Sequence, residues 1–127
     1  MKFVFDTFAW IEYFNGSESG KKVSEIIESE ENDIFSSVIA IAEVSSILKR
    51  NEKDAELGYK RIIDISKIYF INSELAKEAG ILHAEIRKKI KDFGLADAIV
   101  LATARKLSAK IVTGDPHFKR FKEAILI

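Results

Sequence analysis

The chain has 127 residues, 47% hydrophobic and 31% charged, which suits one compact domain over 1–127 with enough apolar material for a core. It has no cysteine, which excludes disulfides and thiolate metal sites, and no apolar run long enough to span a membrane. Its 20 Lys/Arg balance 20 Asp/Glu, which argues against indiscriminate coating of nucleic acid, but residues 1–80 hold 10 basic and 15 acidic side chains while residues 81–127 hold 10 and 5.

The opening "MKFVFDTFAW" is too short and too acidic for a secretory leader, so a cytoplasmic protein is expected. Within it, "KFVF" is a short apolar run of the kind that forms a buried strand, ending at Asp6. A short helix is expected over residues 7–14 with Thr7 as N-cap, and "NGSESG" as the loop after it. Trp10, Tyr13 and Phe14 on that helix read as packing residues. A second helix opens at Ser19 or Gly20 and carries Val23, Ile26 and Ile27. "DIFSS" reads as a second strand, and Ser36 or Ser37 caps the helix of "SSVIAIAEVSSIL". "NEKDAELGYKRIIDIS" reads as a helix with Leu57, Ile62, Ile63 and Ile65 on its apolar side. "KIYFI" is a third strand, and Ser73 caps a long amphipathic helix reaching Lys89, with Leu75, Ala79, Leu82 and Ile86 at helical spacing. "FGLADAIVLATARKL" is a buried helix, "AKIVT" a fourth strand, "GDPHFKRF" a turn with a short helix, and "AILI" a candidate fifth strand. Strands alternating with helices imply an α/β fold whose parallel sheet is covered on both faces. Ligands of such sheets sit beyond the carboxyl ends of the strands, where strand order reverses.

Four carboxylates fall near that edge. Asp6 ends the first strand, and Asp115 follows the fourth in "IVTGDP". Glu43 lies two turns into a helix that starts from the same edge, among Ile39, Ala40, Val44 and Ile47. Asp97 lies in the first turn of the helix that opens at Gly94 or Leu95. Taken singly, each has an ordinary reading. Asp6 caps a helix. Asp97 complements a helix dipole. Asp115 before Pro116 makes an Asx turn. Glu43, expected to be buried, pairs with a buried Lys or Arg. One hypothesis replaces all four: the carboxylates converge on a divalent cation. Hard oxygen donors without cysteine suit Mg²⁺ or Mn²⁺ better than zinc. Such an ion activates water and stabilises in-line displacement at phosphate.

"FVFDTFAWIEYF", "SSVIAIAEV", "GLADAIVLATA" and "IVTGDPHF" occur in the order and spacing of a PIN-domain ribonuclease, and the chain most resembles the small VapC-type toxins of toxin–antitoxin pairs. The resemblance covers nearly the whole chain. It implies a three-layer α/β/α sandwich around a parallel sheet of four or five strands, and a Mg²⁺- or Mn²⁺-dependent cut in RNA. The family's acid quartet falls on Asp6, Glu43, Asp97 and Asp115, with Asp115 the most peripheral metal ligand. Its hydroxyl residues fall on Thr7 and Thr113. The resemblance also implies a homodimer, an RNA substrate and a small antitoxin whose tail enters the active-site groove. Two other readings stay open: a housekeeping PIN nuclease in RNA processing or decay, and a non-catalytic RNA- or protein-binding module.

Two basic stretches remain. "EIRKKIKDF" carries Arg87, Lys88, Lys89 and Lys91, and "HFKRFK" carries Lys119, Arg120 and Lys122. Each reads either as a solvated helix end or as a surface that positions phosphates. Phe118 and Phe121 read as core or dimer contacts. His83 and His117 are too far apart in sequence to suggest a site, and contact of His117 with substrate is the minority reading.

Overall fold

The computed structural model describes Met1–Ile127. Five short strands form one sheet: β1 (Lys2–Phe5), β2 (Asp33–Ser37), β3 (Lys67–Tyr69), β4 (Lys110–Thr113) and β5 (Ala124–Leu126). All neighbours pair in parallel, in the order β3-β2-β1-β4-β5. Six helices connect them: α1 (Thr7–Asn15), α2 (Glu18–Glu28), α3 (Val38–Arg50), α4 (Ala55–Ile65), α5 (Ser73–Arg87) and α6 (Leu95–Leu107). A 3₁₀ turn over Pro116–Arg120 precedes β5. The chain runs outward from β1 to β3, then returns to place β4 on the other side of β1. Strand order therefore reverses between β1 and β4, and a crevice opens beyond their carboxyl ends.

The sheet is sorted by the two-residue period of its strands. Phe3, Phe5, Ile34 and Val112 pack with Trp10, Val23, Val44, Leu48 and Ile62 under the α1–α4 layer. Val4 and Ile111 point the other way, against Phe93, Leu101, Ala104 and Phe118, with Leu82 and Ile86 of α5 alongside. The result is the expected α/β/α sandwich. Trp10 is fully buried and its one donor is satisfied. Its Nε1–H donates to Ser36 Oγ at 3.0 Å, Ser36 and Ser66 hydroxyls lie 2.9 Å apart, and Ser66 donates to the Ile62 carbonyl at 2.7 Å. This relay ties α1, β2 and the end of α4 together without leaving a polar group unpaired. No helix is long and apolar enough to cross a membrane.

Several helix starts differ from the sequence reading because the side chain that reaches the third N–H of the new helix is not the one expected. Asp6, not Thr7, caps α1 by accepting from Ala9 N–H at 2.8 Å. Ser17 caps α2 through Gly20 N–H, Asp54 caps α4 through Leu57 N–H, and Asn72 rather than Ser73 caps α5 through Leu75 N–H. Of the two serines offered for α3, Ser37 is the cap. On α4 the inward line is Gly58, Ile62 and Ile65, spaced i, i+4, i+7. Leu57 and Ile63 lie off that line and are 59% and 41% exposed, contrary to expectation. The third strand stops at Tyr69 instead of reaching Ile71, and Phe70 is left in solvent.

Candidate functional site

The topology brings the four carboxylates to one cleft of about 440 Å³. Asp6 arrives at the end of β1 and Asp115 just past β4, the two strands that flank the reversal. Helix α3 starts directly from β2, which carries Glu43 across the cleft. Asp97 enters from the first turn of α6, where its Oδ2 accepts Gly94 N–H at 3.1 Å. Asp115 caps the 3₁₀ turn by accepting His117 N–H at 2.9 Å. Asp6 and Asp115 thus cap as their ordinary readings expect, Asp97 sits in the first turn where it complements the helix dipole, and the same side chains also line the cleft.

Burial and like charge both act on the acids of the cleft. Burial is the chief cause that pushes Asp6 up from 3.8 to about 7. Hydrogen bonds from the Thr113 hydroxyl and Ala9 N–H oppose that rise, and the charges of Asp97 and Asp115 add to it. Burial likewise raises Asp97, against the Gly94 N–H and with help from Asp115 and Glu43. No Lys or Arg forms an ion pair with any of the four acids. Asp115 has a histidine partner, His117, whose Nδ1 lies 3.2 Å from its Oδ1. On the other side of that ring, Nε2 lies 3.1 Å from Asp92 Oδ2. Burial works to lower His117, but Asp115 and Asp92 outweigh it and hold the imidazole above its ordinary value.

Two expectations change in detail. Glu43 is not a buried carboxylate with a cationic partner. Val44 and Leu48 turn inward, while Glu43 faces outward and accepts the Thr7 hydroxyl at 2.7 Å. The apolar run misleads because α3 shows only Ala40, Val44 and Leu48 fully to the core. Thr113 is fully buried and does not line the cleft. Its hydroxyl accepts Asp115 N–H at 3.0 Å and opposes the rise of Asp6, so it acts on both acids.

His117 is the residue that sequence reasoning undervalued. Ligand atoms of Asp97, Asp115 and His117 all lie within 4.8 Å of one another, close enough to share one ion. Asp6 and Glu43 line the same cleft outside that trio. The signal in sequence was the two-residue step from Asp115 to His117 across a proline-started turn. A donor set of carboxylates with one imidazole, short of cationic partners and with two acids raised by crowding and burial, fits a divalent cation.

The chain thus carries an acid-lined crevice at the reversal point of a parallel α/β/α sheet, with donors that suit a divalent cation. The model of the PIN domain matches residues 3–124, and the chain belongs to the PIN domain family. A search of curated proteins gives no sequence match. Among solved structures, the fold is shared with a toxin–antitoxin complex from Klebsiella pneumoniae, 24% identical over 96% of this chain and 94% of that one, with a TM-score of 0.74. It is shared with VapBC2 from Rickettsia felis bound to a promoter DNA fragment, 20% identical over 100% and 98%, with a TM-score of 0.76. VapC20 of Mycobacterium tuberculosis, a toxin that cleaves the sarcin–ricin loop, is 15% identical over 86% of each chain, with a TM-score of 0.69.

Proposed function

We propose that this chain is a metal-dependent endoribonuclease that hydrolyses RNA phosphodiester bonds as the toxin of a toxin–antitoxin pair. One observation carries the reading: in a PIN-family chain, Asp6, Glu43, Asp97 and Asp115 line one cleft with no Lys or Arg paired to them. A bound Mg²⁺ or Mn²⁺ supplies Lewis-acid activation of water and charge stabilisation at phosphate. Asp97, Asp115 and His117 would hold that ion, with Asp6 and Glu43 as further carboxylate donors in the same cleft. Thr113 acts on both Asp6 and Asp115 through its hydroxyl. Thr7 holds the Glu43 carboxylate toward the cleft by donating to it. The partner on this reading is an antitoxin, as in the toxin–antitoxin complex from Klebsiella pneumoniae, and a second copy of the chain is the further partner expected.

The test is incubation of labelled total RNA with wild type and Asp97→Asn, in Mn²⁺, in Mg²⁺ and in EDTA. Internal cuts by wild type with either metal, absent in EDTA and absent with Asp97→Asn, are the expected result. RNA retained but never cut would leave a binding module in place of a nuclease.

A further inference from the structure

Beside the acid cleft lies a second groove of about 340 Å³, lined by Lys89, Lys91, Asp92, His117, Lys119 and Arg120. Pro116 lines both cavities, so the groove adjoins the cleft. Its cations come from the two basic stretches that sequence alone left undecided. Lys89 and Lys91 belong to the turn after α5, and Lys119 and Arg120 to the 3₁₀ turn after β4. All four are exposed, and none is in an ion pair. The contact of His117 Nε2 with Asp92 at 3.1 Å spans the two walls and sets their separation.

A cleft of carboxylates repels a polyanion, so a nucleic acid needs cations beside it to be held. Four unpaired cations on two walls match a phosphate backbone, which they orient without reading bases. We propose that this groove binds the backbone phosphates of single-stranded RNA next to the phosphate that enters the acid cleft. The inference rests on the nuclease reading for its substrate and extends it to a binding track. It assigns the +5 excess of residues 81–127, in part, to this one surface.

The experiment measures binding of a short fluorescent single-stranded RNA to Asp97→Asn protein by anisotropy across a salt series. Lys89→Ala with Lys91→Ala, and Lys119→Ala with Arg120→Ala, are compared with Lys22→Ala with Lys60→Ala, which line neither cavity. Each groove pair should weaken binding and flatten the log–log salt slope by about 1 to 2, given roughly 0.7 per phosphate contact on single strands. The remote pair should leave the slope unchanged. The melting shift produced by Mn²⁺ in the otherwise wild-type protein should survive both groove pairs. A salt slope unaltered by either groove pair overturns the proposal, even if wild type cleaves RNA. So does tighter groove-dependent binding of polyglutamate than of the RNA. If wild type fails to cleave but the slope still depends on these four residues, the groove stands and the nuclease reading falls.

Discussion

Asp6 caps α1 and faces the cleft with one carboxylate, and its titration follows from that double placement. Its folded value of about 7 stands above its unfolded value of 3.8. Between those values the folded state binds the extra proton, so metal-free stability falls as pH rises from about 4 to 7 and levels off above. Asp6→Asn removes this component. In EDTA the variant should gain on wild type across that window, by on the order of 2–4 kcal/mol at pH 8, and converge with it near pH 3. Urea melts of both proteins at pH 3, 5, 7 and 8 check it; a constant difference across pH would refute the assignment. Glu43 behaves differently because it is exposed and its bonded partner is the Thr7 hydroxyl. Glu43→Gln strands no buried cation, so its stability in EDTA should stay within about 0.5 kcal/mol of wild type. RNA cleavage should nevertheless be lost. A drop of 3 kcal/mol or more, the rough cost of a broken buried pair, would show that a cationic partner exists after all.

At the scale of elements, Gly20 shows what periodicity cannot see. The sequence places it at the start of α2, but it lies inside the helix, where α2 crosses α1. A Cβ there would stand 2.1 Å from the backbone oxygen of Glu12. The neighbour is main chain and cannot swing away. Gly20→Ala should therefore destabilise by about 1–3 kcal/mol or more, despite the better helix propensity of alanine. A denaturation midpoint equal to wild type would mean that α1 and α2 sit farther apart. Strand and helix identity was legible because each element's apolar period matches its layer. The five strands and six helices fall where the alternation of "KFVF", "DIFSS" and "KIVT" with helical repeats puts them. Caps were less legible because neighbouring Asp, Ser, Asn and Thr residues offer the same chemistry one position apart, and only backbone geometry chooses among them. Glu43 was misplaced for a related reason. An apolar run shorter than four turns leaves the orientation of its one polar residue to the tertiary packing of α3. His117 was undervalued because its second partner, Asp92, is remote in sequence.

For the molecule as a whole, the sheet order supplies the site. Placing β4 beside β1 brings Asp6 and Asp115 to adjacent strand ends, and α3 and α6 then close the cleft with Glu43 and Asp97. Crowding these acids opposes folding, and a divalent cation that binds only the folded form offsets it by linkage. Mn²⁺ at a hundredfold excess over its Kd should stabilise the protein by about 2.7 kcal/mol. The effect should depend on pH in a definite direction. A carboxyl group must give up its proton to bind metal, and Asp6 holds its proton to about pH 7. The raised His117 shifts the same way, since its imidazole must be neutral to bind an ion. Apparent affinity should therefore rise about tenfold from pH 6 to pH 8 through Asp6 alone, worth roughly 1.4 kcal/mol. Melting temperatures at fixed subsaturating Mn²⁺, each referred to EDTA at the same pH, read this directly. The shift should be small at pH 6, grow through pH 7 and approach a plateau by pH 8. In Asp97→Asn it should be largely lost at every pH, and in Asp6→Asn whatever shift remains should no longer rise as steeply across pH 7. A shift that shrinks as pH rises would contradict the raised state of Asp6, and no shift at any pH with millimolar Mn²⁺ would remove the metal from the site.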